Sequence, residues 1–131
     1  MNSSFRHILI ALQSVILLLT SCENPHLREQ YVLKGEEYVF EVDMSDSLAT
    51  YDVSIYTRVD SDTRGFPVEA IWTSPSGHKY SERIYFNLLL GQKQPYRSAL
   101  VPVEWGCWTL ELSVPEVKGM RGMGIITQRN D

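Results

Sequence analysis

The 131-residue chain holds two cysteines, Cys22 and Cys107, and three histidines, His7, His26 and His78. Of these, Cys22 has neighbours that specify a reaction. It closes the run Leu19-Thr20-Ser21-Cys22, directly after the apolar stretch Ile8 to Leu19 and a short polar start that carries Arg6. A charged start, a short apolar run and small residues at a cut site are the parts of a secretory signal. The apolar run is about 12 residues, or about 18 Å as a helix. A bilayer core about 30 Å thick asks for about 20, so the run suits a cleaved signal better than a span. An uncleaved signal anchor and an ordinary signal ending at a chance cysteine are the alternatives.

Leu19-Thr20-Ser21-Cys22 resembles the lipobox of bacterial lipoprotein signals. The resemblance implies that the Cys22 thiol accepts a diacylglyceryl group. The chain is then cut between Ser21 and Cys22, and the new amine of Cys22 is acylated, with palmitate as the expected kind of chain. One acyl chain anchors only marginally, at about 0.8 kcal/mol per buried CH₂, whereas two or three make attachment permanent. Cys107 then has no partner within the chain. It reads as a small buried hydrophobe, with a reactive thiol or an intermolecular link as the alternative.

Other chemistry is sparse. His26 and His78 lack metal-ligand spacing, and no CxxC or HExxH occurs. Ser76 and His78 could be imagined with an acid as a triad, but no Gly-x-Ser-x-Gly elbow holds the serine. Glu36-Glu37 and Asp43, Asp46 and Asp52 read as solvated loop charges rather than a glycosidase pair. Asp60-Ser61-Asp62-Thr63 is the one calcium-like run and lacks the rest of an EF-hand loop. Gly119-Met120-Arg121-Gly122-Met123-Gly124 does not open a helix, so it is no phosphate cradle. Such glycines in a strand mark a bulge or a close approach. No catalytic residue, metal or cofactor is expected. Tyr56, Arg58, Tyr96 and Trp105 are the candidates for an exposed binding surface.

The elements that would position these residues are strands. Residues 22–30 read as the lipidated cysteine and a polar tether, and 31–131 as one domain, after a signal at 1–21. Tyr38, Phe40 and Val42 share a face. So do Tyr51, Val53, Ile55, Thr57 and Val59, with Tyr56 and Arg58 on the wet side. Phe66 to Thr73 and Tyr80 to Phe86 flank Ser74-Pro75-Ser76-Gly77, a turn signal that predicts a hairpin. Leu88 to Tyr96 is either a strand end or a short helical turn. Ser98 to Val103, Trp108 to Val114 and Met120 to Thr127 complete the set. Seven or eight short antiparallel strands with no helical periodicity predict an all-β, immunoglobulin-like sandwich.

Several segments together are similar to one family. They are Tyr51 to Arg58, Ser74-Pro75-Ser76-Gly77 with Tyr80 and Glu82, Gly106-Cys107-Trp108-Thr109-Leu110, and Met120-Arg121-Gly122-Met123-Gly124-Ile125. They resemble the gliding-motility lipoprotein GldH and its non-motile relatives in the Bacteroidetes. The resemblance covers about Tyr38 to Thr127. It implies a sandwich fold, no catalytic residues and an accessory role in the cell envelope.

Charge narrows the partners. The whole chain carries 12 basic and 16 acidic residues, and loss of Arg6 with the signal leaves 11 basic. An acidic domain disfavours nucleic acid, which needs a basic patch. The expected partners are a membrane, through lipid on Cys22, and other envelope proteins, with a glycan as the alternative. Glu23 alone follows Cys22 as an acid, where surface export in such bacteria resembles an acidic run. The expected address is therefore the periplasmic face of the outer membrane.

Overall fold

The computed structural model describes residues 26–131, so the signal segment and the Cys22 site lie outside the described residues. Eight strands form two four-stranded antiparallel sheets. They are β1 (Leu27–Leu33), β2 (Tyr38–Met44), β3 (Thr50–Val59), β4 (Gly65–Thr73), β5 (Lys79–Asn87), β6 (Lys93–Leu100), β7 (Gly106–Ser113) and β8 (Met120–Asn130). The first sheet runs β1-β8-β3-β6 and the second β2-β7-β4-β5.

The all-β sandwich is as expected. Its connectivity is more specific: β4 pairs with β5, β3 with β6, β2 with β7 and β1 with β8. The chain is a hairpin within hairpins, alternating between sheets. This is the strand order of an eight-stranded jelly roll, and differs from the ABED and CFG sheets of the immunoglobulin fold.

Alternation builds the core. β2 is buried at Tyr38, Phe40, Val42 and Met44 and exposed between them. β3 turns Tyr51, Val53, Ile55, Thr57 and Val59 inward, and β7 does so with Trp108, Leu110 and Leu112. Thr57 is a fully buried polar residue, and its hydroxyl donates to the Gly122 carbonyl at 2.9 Å. A buried hydroxyl needs such a partner.

Both open sides of the sandwich are closed by a glutamine. Gln30 on β1 donates to the Glu41 carbonyl on β2 at 2.7 Å and accepts from its N–H at 3.2 Å. Gln94 on β6 accepts from the Asn87 N–H and donates to the Asn87 carbonyl across the β5 side. A side-chain amide thus satisfies edge backbone that would otherwise invite another strand.

Two strands, β1 and β6, differ in their bounds from the sequence reading. Strand pairing begins at Leu27, inside the expected tether, because Leu27 to Leu33 pairs with β8 from Gln128 to Gly122. Backbone pairing at an edge is indifferent to the polarity of Arg28, Glu29 and Gln30, so alternation gave no signal there. The strand expected at Ser98 to Val103 is instead β6, Lys93–Leu100. It holds Pro95, which an edge strand tolerates. It ends where Ala99 takes φ +52° and donates its N–H to the Asp52 carboxylate at 2.8 Å. On β5, Phe86 is buried and Ile84 packs against the core, but Tyr80 is exposed. The Leu88–Leu90 segment is a 3-10 turn capped by Asn87.

Leu110 is fully buried between the sheets, and Val39 lies on the outer face. Leu110→Ala should cost about 2–5 kcal/mol, lowering the melting temperature by about 10 °C or more for a domain of this size. Val39→Ala should stay within about 0.5 kcal/mol. Equal losses in thermal melts of the two variants would contradict the assigned faces.

Candidate binding surfaces

The outer face of the first sheet is built from one register. Tyr31 on β1 and Tyr56 on β3 both lie opposite Gly124 on β8, between them. With no side chain on the middle strand, the two rings lean together over the glycine and stack at 5.5 Å, 15° from parallel. A Cβ at Gly124 would sit 2.5 Å from the Tyr56 ring and from the Gln30 carbonyl. Gly122, opposite Arg58, is equally crowded by Tyr31 and the Val32 carbonyl. The Arg58 guanidinium lies 5.6 Å above the Tyr31 ring, within cation–π range. A shallow groove of about 270 Å³ runs beside Tyr56 and Arg58, bordered by Glu29, Gln92 and Lys93.

Two of the four expected surface residues, Tyr56 and Arg58, are therefore brought together, and Tyr31 joins them. Tyr31 had no motif to mark it; only its register against Gly124 reveals it. The structure separates the other two. Tyr96 projects into the seam between β5 and β6, where its hydroxyl accepts from the Trp72 indole at 2.9 Å and donates to the Glu82 carboxylate. Burial, then the Glu82 carboxylate, pushes the Tyr96 phenol up to about 12, so it remains a donor. Arg97 binds both Glu82 oxygens at 2.5 Å. Trp105 lies in the loop between β6 and β7, exposed.

That loop borders a second feature, an apolar recess of about 190 Å³ at one end of the sandwich. Met44, Trp72 and Trp108 line it, with Tyr80 and Arg97. Trp72 meets Trp108 edge-on at 6.2 Å, and Tyr80 packs on Trp108 at 5.9 Å. Trp72 and Trp108 are buried, so they serve the core and form no open platform for a sugar.

The hairpin turn carries a Ser–His–Glu cluster. Ser76 Oγ lies 2.8 Å from His78 Nδ1 and donates to Glu104 Oε2 at 2.8 Å. Glu104 also accepts the Ser76 N–H at 3.0 Å, and its Oε2 is 4.0 Å from His78 Nδ1. In a relay the acid orients the histidine and the histidine takes the serine proton. Here the acid and the imidazole instead converge on one hydroxyl, on an exposed turn. The cluster ties the 74–78 turn to the β6–β7 loop.

Cys107 is exposed, correcting its reading as a buried hydrophobe. It alternates with Trp108 on β7 and so faces outward. Partial burial, with the Glu41 and Asp43 carboxylates, raises its thiol above the ordinary range, which leaves it a poor nucleophile. The calcium-like run is occupied structurally. Asp60 pairs with Arg121, and Ser61 donates to the Lys118 carbonyl at 2.8 Å. Among the described residues, no group of three or more His, Cys, Asp or Glu is placed to hold a metal.

Comparison with protein-family models, curated proteins and solved structures finds no match to this chain.

Two predictions test this geometry. Gly124→Ala should destabilise the domain by about 1–3 kcal/mol through overpacking and remove the ring-to-ring NOEs between Tyr31 and Tyr56. Unchanged NOEs would contradict the glycine-spaced stack. Hydrogen bonds from Ser74 and then Ser76 hold the Glu104 carboxyl below its ordinary 4.5. A depressed folded value means the tie contributes stability above pH 4.5 and loses it as pH falls through that lower value. An NMR titration should place the Glu104 midpoint below 4.5; a midpoint at or above 4.5 would contradict the tie.

Proposed function

We propose that this chain is a non-catalytic, lipid-anchored cell-envelope protein that binds other envelope proteins. In this reading it is held through Cys22 at the periplasmic face of the outer membrane. The lipobox-like Leu19-Thr20-Ser21-Cys22 supports the address, and the resemblance to the gliding-motility lipoproteins supports an accessory role in such an envelope. Among the described residues no helix is long and apolar enough to cross a membrane, which is compatible with attachment by lipid.

The observation that carries the binding role is the Tyr31–Tyr56–Arg58 platform on the first sheet. Tyrosine and arginine are the residue types that dominate protein interfaces. Rings already stacked over glycine lose little conformational freedom on binding. A glycan is the second reading, favoured by near-parallel tyrosine faces flanked by Glu29 and Lys93.

A photo-crosslinking amino acid at Lys93, beside the groove, tests this in cells with native membranes. The expected result is a discrete protein adduct, weakened at least tenfold, about 1.4 kcal/mol, by Tyr56→Ala or Arg58→Ala. An adduct formed only from a position on the opposite sheet, such as Glu111, would overturn the assigned face. Loss of the adduct on adding soluble envelope glycan would favour the second reading.

A further inference from the structure

We infer that one end of the sandwich, carrying the 45–49, 74–78 and 101–105 loops, docks against the lipid bilayer. Leu48, Val101, Val103 and Trp105 then sit in the interfacial layer. The inference rests on the reading of Cys22 as the lipidated residue.

The pairing scheme determines which end this is. The described chain begins at His26, whose carbonyl accepts the Arg129 N–H at 2.8 Å and whose imidazole lies 2.8 Å from the Arg129 guanidinium. Arg129 in turn is 3.9 Å from Asp46, in the β2–β3 loop. β3 starts at the same end: Thr50 lies opposite Asn130, and Tyr51 opposite Leu100, where the 101–105 loop departs. The chain therefore enters the domain beside these loops.

Covalent reach does the rest. Four residue steps separate Cys22 from His26, or about 14 Å at full extension. A lipidated Cys22 lies at the membrane surface, so His26 and its neighbours cannot stand far from it. The opposite end is about 30 Å away along the ten-residue β3 at strand rise. Exposed Leu89 and Leu90 lie at that far end, beyond the tether's reach.

The loops beside the tether have the composition an interface favours. Leu48 is 92 % exposed, Val103 77 %, Val101 60 % and Trp105 44 %. Tryptophan is enriched where membrane meets water. Asp46 and Glu104 are the acidic residues of these three loops, and both carboxylates are engaged, Asp46 by the Leu48 N–H and Arg129 and Glu104 by Ser76. The far loops carry Lys34, Glu36, Glu37, Asp62, Arg64 and Lys118. Apolar contact, rather than attraction to anionic headgroups, is what this end offers. Docked this way, the Tyr31–Tyr56–Arg58 face stands on the flank of the domain, clear of the bilayer.

The test uses full-length protein purified from native membranes. It is reconstituted into phosphatidylethanolamine–phosphatidylglycerol vesicles with brominated acyl chains, and its intact mass is recorded in parallel. The expected result is quenching of tryptophan fluorescence that disappears in Trp105→Phe and falls in Leu48→Ser/Val103→Ser, because Trp72 and Trp108 are shielded. In Cys107→Ser protein, a nitroxide attached through Leu48→Cys should gain accessibility to oxygen over a water-soluble nickel chelate. A lipidated protein whose quenching is the same with and without Trp105, and whose nitroxide remains water-accessible, would overturn the docking and leave the anchor standing. A mass without diacylglyceryl and acyl groups would overturn the anchor, and the docking with it.

Discussion

The pairing of β8 with β1 on one side and β3 on the other is the interaction on which the rest depends. It closes the outermost of the nested hairpins, joining residues about a hundred positions apart in sequence. It brings the two ends of the described chain side by side, sorts the loops to opposite ends and creates the tyrosine platform. Such pairing comes with a large loop-closure entropy, so it must be specified strongly. Gly122 and Gly124 contribute to it, because their missing side chains leave the room that Tyr31 and Tyr56 occupy in the observed register.

The same scheme explains how a small sandwich without a disulfide among its described residues holds its sheets together. The interior is filled by aliphatic and aromatic side chains from both sheets. The two open sides are sealed by polar groups rather than by further strands. Gln30 and Gln94 occupy edge backbone, and the Trp72–Tyr96–Glu82–Arg97 chain bridges β4, β5 and β6. Every member of that chain has a partner, which is the condition for a part-buried polar network to stabilise rather than weaken a fold.

Function follows from where this frame leaves its exposed groups. The Ser76–His78–Glu104 cluster shows that proximity of the right residue types does not make a relay. Its hydrogen bonds run the wrong way for proton transfer and the right way for fastening a loop. The platform on the first sheet is different, since Tyr31, Tyr56 and Arg58 hold one another in place while keeping a face to solvent. Fold alone would not distinguish these roles.

The sequence by itself determined the all-β class, the hairpin at Ser74 to Gly77 and the inward faces of β2 and β3, because a period of two is a local property of each strand. It also marked Tyr56 and Arg58 as outward-facing. Tertiary structure decided what local pattern cannot carry. It showed that Leu27 to Gln30 are strand, that β6 ends at Ala99 and Leu100, and that the sheets follow jelly-roll order. It also placed Tyr31 beside Tyr56, Tyr96 in the seam and Cys107 on the surface. Each of these depends on which distant strand lies alongside. That choice is made by long-range register and close packing, which the alternation of a single strand does not encode.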